Sequence, residues 1–164
     1  LLLAVGWNLY TYAALTRELP VAELGLRQVG PKTYRASVVL ADGRQLTPTL
    51  RGDEWRIEAQ VLKFHGWAAM LGAEPRYRLD RLSGRYRDAG AERQAPRSVV
   101  ELAPARGLDI WQWANTYPGW LPVVDASYGS GAYLPMRDGA RYRVTLGPSG
   151  LIARPIGNLS EEIP

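Results

Sequence analysis

The 164-residue chain has no cysteine and a formal net charge of +4. Disulfides, thiolate metal sites and cysteine nucleophiles are therefore excluded, and so modest a charge does not argue for nucleic acid. Its 20 basic residues include only two lysines, Lys32 and Lys63, and its aromatics are six Trp and nine Tyr against one Phe, a mix suited to interfaces and half-buried sheet faces.

From Leu1 to Leu15 the only strongly polar side chain is Asn8, and the first charges are Arg17 and Glu18. A bilayer-crossing helix needs about 20 apolar residues, so this run is short by itself. Trp7, Tyr10 and Tyr12 gather toward the charged end, as aromatic residues do at a membrane–water interface. Residues 1–19 are therefore expected to be the C-terminal part of a membrane-anchor helix. A cleaved signal peptide fits less well, because Tyr12-Ala13-Ala14-Leu15 is a poor small-x-small cleavage site.

After Pro20 the period turns to two. Ala22, Leu24 and Leu26 alternate with Glu23 and Arg27, and Gly30-Pro31 signals a turn. Tyr34, Ala36, Val38 and Leu40 against Arg35 and Ser37 predict a strand. Asp42-Gly43 predicts a hairpin, with a return strand over 45–50 that Pro48 marks as an edge. The clearest alternation follows, with Trp55, Ile57, Ala59 and Val61 opposed by Glu54, Arg56, Glu58 and Gln60, and it breaks at Leu62. A helical turn is expected between Gly66 and Gly72. Tyr77, Leu79 and Leu82 form the next strand face, ended by a Ser83-Gly84 turn.

Residues 88–96 are polar and small, and are expected to be an exposed loop. Val99 to Leu102 fits strand or helix equally. Leu108 to Tyr117 reads as a helix stopped by Pro118-Gly119, and Pro122 to Pro135 as an irregular Gly-rich stretch. Asp138-Gly139 is a second hairpin signal. Tyr142, Val144 and Leu146 predict a strand, with 151–155 pairing back across Gly147-Pro148. The resulting class is α+β, mainly antiparallel β. A strongly bent sheet or incomplete barrel is expected, with one or two short helices and an N-terminal apolar helix. Residues 20–156 form one β-rich domain and 157–164 a polar tail.

Three stretches carry a resemblance: Tyr10 to Glu18 leading into Pro20-Val21-Ala22, Gly66-Trp67 with Tyr77 to Tyr86, and Tyr133-Leu134-Pro135-Met136. Together they resemble an uncharacterised, membrane-anchored protein family of Gram-negative bacteria, often loosely labelled multidrug or cation transporter. The resemblance spans most of the chain and brings no catalytic motif. It implies a domain anchored in a membrane and facing the periplasm.

Chemistry-bearing patterns are sparse. His65 is the only histidine, and Gly129-Ser130-Gly131 does not match the Gly-x-Ser-x-Gly elbow of a hydrolase. Arg76, Arg78, Arg81, Arg85 and Arg87 crowd a short stretch beside Tyr77 and Tyr86, a candidate surface for anionic headgroups. Trp111, Trp113, Tyr117, Trp120, Tyr128 and Tyr133 form the densest aromatic group, a candidate surface for a partner or ligand. No catalytic, cofactor-binding or metal residue is singled out, and no cofactor is expected. The leading expectation is a non-enzymatic, membrane-anchored periplasmic interaction or accessory domain with a protein partner at the membrane. An apolar-ligand or lipid-binding domain using the Trp111–Tyr133 region is the alternative. A hydrolase built on His65 and Ser130 is the third.

Overall fold

A computed structural model describes residues 17–103 and 124–157, with the side chains of Ala69 and residues 124–127 outside the description. Of the anchor helix expected over residues 1–19, residues 1–16 lie outside the described residues and Leu19 already belongs to a strand. The expected helix from Leu108 to Tyr117, Trp111, Trp113, Tyr117 and Trp120, and residues 158–164 of the expected polar tail also lie outside the described residues. Among the described residues, no helix is long and apolar enough to cross a membrane.

Among the described residues ten strands carry the fold: β1 (Leu19–Gly30), β2 (Thr33–Leu40), β3 (Gln45–Leu46), β4 (Thr49–Arg51), β5 (Glu54–Phe64), β6 (Arg76–Arg85), β7 (Val99–Glu101), β8 (Val124–Pro135), β9 (Arg141–Gly147) and β10 (Gly150–Pro155). Two short helices of the described residues, α1 (Gly66–Met70) and α2 (Ala89–Gln94), interrupt them. The architecture is mainly antiparallel β in two sheets. The first sheet runs β10-β9-β1-β2-β3, with β4 also on β2, and the second runs β7-β6-β5-β8.

Alternation decides which side chains meet between the sheets, because successive side chains of a strand point to opposite faces. In β2 Tyr34, Ala36, Val38 and Leu40 are buried, and in β5 Trp55, Ile57, Ala59 and Val61. Leu24 and Leu26 of β1 and Tyr142, Val144 and Leu146 of β9 complete one apolar cluster. Among the described residues no polar or charged residue is buried. Trp55, at 0% exposure, is the largest fully buried side chain among the described residues, and its ring lies 5.3 Å from that of Tyr142 at a tilt of 55°.

Two irregularities shift the alternation. Val21 and Ala22 are both buried because the β1–β9 register slips between Pro20 and Ala22. In β6, Arg81 pairs Glu58 while Leu79 pairs Ala59, so Asp80 is an extra bulged residue. The bulge lets Leu79 and Leu82 both face the core although they are three apart.

The alternation of β5 breaks at Leu62 as expected, since Val61 and Leu62 are both buried, and the strand runs on to Phe64, still paired with β8. Four local expectations are corrected. The return strand over 45–50 is two pieces, β3 and β4, separated at Pro48, which cannot donate to the ladder. Ser83-Gly84 is not a turn but lies inside β6. Residues 88–96 contain α2, whose first turn is held by Asp88 Oδ2 accepting from the Ala91 amide at 2.7 Å. The Gly-rich 122–135 stretch contains the 12-residue strand β8, in unbroken register with β5 from Glu54↔Pro135 to Lys63↔Ala126.

Asp138-Gly139 also differs from expectation, since the strands it joins, β8 and β9, belong to different sheets. It docks instead on β1. The Gly139 amide donates to the Leu26 carbonyl at 2.9 Å, and Asp138 Oδ1 accepts from the Gln28 amide at 2.8 Å.

The sheets are fastened together at both sides. Along one, the Leu151 amide of β10 donates to Ser130 Oγ of β8 at 2.9 Å. Along the other, Ser98 Oγ accepts from the Arg51 amide at 2.8 Å, and the Asp53 amide donates to the Arg85 carbonyl at 2.7 Å. Asp53 also takes Lys32 Nζ at 2.9 Å and the Arg87 amide at 3.1 Å, so one carboxylate ties the β1–β2 turn to the end of β6. The Arg87 amide first, then Lys32, holds its carboxyl below the usual range.

Candidate functional site

The outer face of the second sheet is built by the unburied half of each alternation. From β5 come Glu54, Arg56, Glu58 and Gln60, each directly opposite a residue of β8: Pro135, Tyr133, Gly131 and Gly129. From β6 come Arg78, Arg81, Ser83 and Arg85, opposite Gln60, Glu58, Arg56 and Glu54. The bulge at Asp80 is what puts Arg81 and Arg85 on the same side as Arg76 and Arg78, since strict alternation would set them on opposite faces.

The structure therefore gathers four of the five expected arginines on one surface and sets acids beside two of them, Arg78 and Arg81. Arg81 Nε bonds Glu58 Oε2, and Arg56 reaches the other oxygen of Glu58 at 2.8 Å. Glu58 is held ionised below its usual carboxylate range, by the Arg81 hydrogen bond first and by the charge of Arg56. Arg78 lies 3.7 Å from Asp80, and Arg87 bonds Glu54 at 2.9 Å. Arg85 has a different partner, its guanidinium lying 5.5 Å over the ring of Tyr133.

Tyr133 is 56% exposed, with Gly131 and Gly129 beyond it along β8. The two glycines lack side chains, so the surface beside Tyr133 sinks into an open trough of about 750 Å³ walled by Arg56, Glu58, Gln60, Asp80 and Arg81. Arg56 lies 3.5 Å from where a Gly131 β-carbon would stand. Among the described residues this face combines ion-paired polar side chains with an exposed aromatic, Tyr133. Tyr128 is half-buried and packs against the core, apart from the exposed Tyr133. The sequence identified the β5 stripe and Tyr133 separately. It missed that β8 joins them, because glycines at 129 and 131 remove the apolar–polar contrast that marks a strand.

The His65–Ser130 pair does not assemble. Ser130 sits opposite Ala59, six residues from His65 along β5, or roughly 20 Å at the rise of a strand. Its Oγ accepts from the Leu151 amide, a structural bond at the seam between β8 and β10. Asp125 and Ser127 belong to β8, and their side chains lie outside the described residues. Among the described residues no group of three or more His, Asp or Glu side chains could hold a metal ion. An apolar notch of about 340 Å³, lined by Leu134, Tyr142, Pro155 and Ile156, opens at one end of the sheets and is not enclosed by them.

No protein-family model matches the chain, and neither a curated protein nor a solved structure matches it. The functional reading therefore rests on the residues and their arrangement.

Proposed function

We propose that this chain is a non-enzymatic accessory domain, held at a Gram-negative membrane by an N-terminal apolar helix and facing the periplasm. The two sheets, joined along β4–β6 and β8–β10, act as an incomplete barrel that presents the outer face of the second sheet to a protein partner. The observation that carries the reading is Tyr133, a large exposed aromatic with Arg85 stacked on it, beside a trough that carries both signs of charge. Tyr and Arg, with Trp, are enriched among binding hot spots, and a Tyr ring buries large area at small entropic cost. The Glu58 pairs with Arg56 and Arg81 and the Glu54 pair with Arg87 put both signs of charge on this face, which suits a protein surface. The resemblance to membrane-anchored proteins and the apolar run over residues 1–19 supply the membrane part of the reading.

The test is fractionation and crosslinking of the full-length protein in the organism that makes it. The expected protein stays with membranes through high salt and alkaline carbonate, and detergent releases it. A photoreactive residue at position 133 is expected to give one discrete protein adduct that R85E removes. Recovery in the wash, or no discrete adduct, overturns the proposal.

A further inference from the structure

On the opposite sheet, we propose a binding site for a phosphoryl oxyanion, floored by Gly25 and walled by Arg27, Arg35 and Arg141. The β1–β2 register sets Arg27 directly opposite Arg35. Both point outward, since their neighbours Leu26 and Ala36 are buried. Directly opposed β-carbons stand about 5 Å apart, and like charges so placed destabilise a sheet. Neither arginine has an acidic partner among the described residues.

The remainder of this face shows the contrast. Arg143 grips Glu23 with two nitrogens at 3.0 and 3.2 Å, and Arg154 grips Glu18. Arg141 lies 3.8 Å from the other oxygen of Glu23, so the two arginines share one carboxylate. Four arginines, Arg27, Arg35, Arg141 and Arg143, against the single Glu23 leave this part of the face with an excess of three positive charges.

Gly25 is the second, independent observation. The register places Arg141 on one side of it and Ser37 on the other. Its backbone does not require glycine: it is not among the positive-φ residues, and an added β-carbon would meet nothing closer than Ser37 at 4.0 Å. Glycine within a strand weakens it and often marks a place where a ligand approaches closely. Here the missing side chain, continued by Gly139 and Ala140, opens a groove of about 380 Å³ lined by the three arginines, with Glu23, held by Arg143, also in its wall.

The ligand class follows from donor geometry. Planar guanidinium forks bind tetrahedral phosphoryl oxygens in bidentate fashion, and the Ser37 hydroxyl at the groove wall supplies a further donor. Three cations suit a dianionic phosphate or a phosphodiester better than a single carboxylate. The source is either a free phosphate compound or a lipid headgroup. The site stands on its own: a chain that washed off membranes would leave it intact.

The experiment is thermal unfolding of the full 164-residue chain in chloride, in inorganic phosphate, and in short-chain phosphatidylglycerol below its micelle concentration, at matched ionic strength. Wild-type protein is expected to gain Tm with rising ligand, as any ligand specific for the folded state requires. R27Q/R35Q is expected to show a higher Tm than wild type in chloride, because the repulsion is gone, and an apparent affinity at least about tenfold weaker. G25V, which fills the floor, is expected to lose the protection while staying folded. Protection by both ligands assigns the phosphoryl group itself, and protection by phosphatidylglycerol alone assigns a headgroup. No protection by either, or protection retained in R27Q/R35Q, overturns the proposal.

Discussion

Gly84 lies against the carbonyl of Arg51 so closely that a β-carbon on it would come within 2.1 Å of that oxygen and 2.7 Å of Ser98 Oγ. Its φ is not positive, so the requirement is close approach rather than a turn. Gly52 makes the reciprocal contact: with φ at 133°, its β-carbon would fall 2.3 Å from the Arg85 carbonyl. The two glycines let the first sheet's β4 edge cross β6 of the second at backbone distance.

Gly84→Ala is therefore expected to destabilise the domain by about 3 kcal/mol, since neither backbone can yield without breaking the bonds around Ser98 and Asp53. Gly25→Ala is the matched control. With its β-carbon in open contact, it is expected to be neutral or to add about 0.5 kcal/mol. Urea unfolding of both variants checks the pair, and equal effects would contradict the close-approach account.

The same glycine explains part of what was legible. Where one face is buried and the other wet, as in β2 and β5, period two identified the inward residues correctly. Gly84 and the glycines of β8 mislead because a missing side chain reads as a turn, whether it serves a bend, a crossing or a groove floor. Asp138-Gly139 shows a further limit. The dipeptide fixes a tight turn, and nothing local says whether its flanking strands pair with each other or enter different sheets. The Asp80 bulge is likewise invisible in the sequence, although it decides which arginines share a surface.

Trp55 has no exposed surface, and its Nε1–H finds no acceptor. A buried unsatisfied donor costs about 1–3 kcal/mol, which partly offsets what the ring contributes by packing against Tyr142. Trp55→Phe removes the orphaned donor and keeps most of the ring, so a cost under about 1.5 kcal/mol is expected. Trp55→Ala empties the centre of the core, and a cost of about 3–5 kcal/mol is expected. Denaturant midpoints at constant m-value separate the two, and comparable losses would show that the indole nitrogen carries an unseen favourable contact.

Acid stability should depend on Glu18. Its carboxylate takes Arg154 Nη2 at 2.8 Å and the Thr145 hydroxyl at 2.7 Å, tying the start of β1 to β9 and β10. Arg154 first and Thr145 next lower its pKa from 4.5 to about 2. With the folded pKa below the unfolded one, the stabilisation is complete above pH 4.5 and is lost as pH falls toward 2. Glu18→Gln is expected to be less stable than wild type at pH 7 and to converge with it by pH 2. Unfolding curves across that window check this, and a constant gap at all pH values would contradict it. Asp53 and Glu58, shifted the same way, keep an acid limb in the variant.

Ser130 discriminates between a structural and a chemical role. Its Oγ accepts from the Leu151 amide, where β8 and β10 meet, and a β-carbon on Gly150 would stand 2.4 Å from it. The hydroxyl is thus fitted into the seam between the sheets. Ser130→Ala leaves that amide without its acceptor, and a loss of about 1–2 kcal/mol is expected. A positive-φ Gly150 permits the approach, so Gly150→Ala should cost more than Ser130→Ala. His65→Ala, roughly 20 Å away along β5, should not couple to either: a double-mutant cycle with Ser130→Ala is expected to be additive within about 0.5 kcal/mol. A nucleophile and its base would instead be coupled in rate. Ester hydrolysis by the wild-type chain, lost equally in Ser130→Ala and His65→Ala, would replace the seam with an active site.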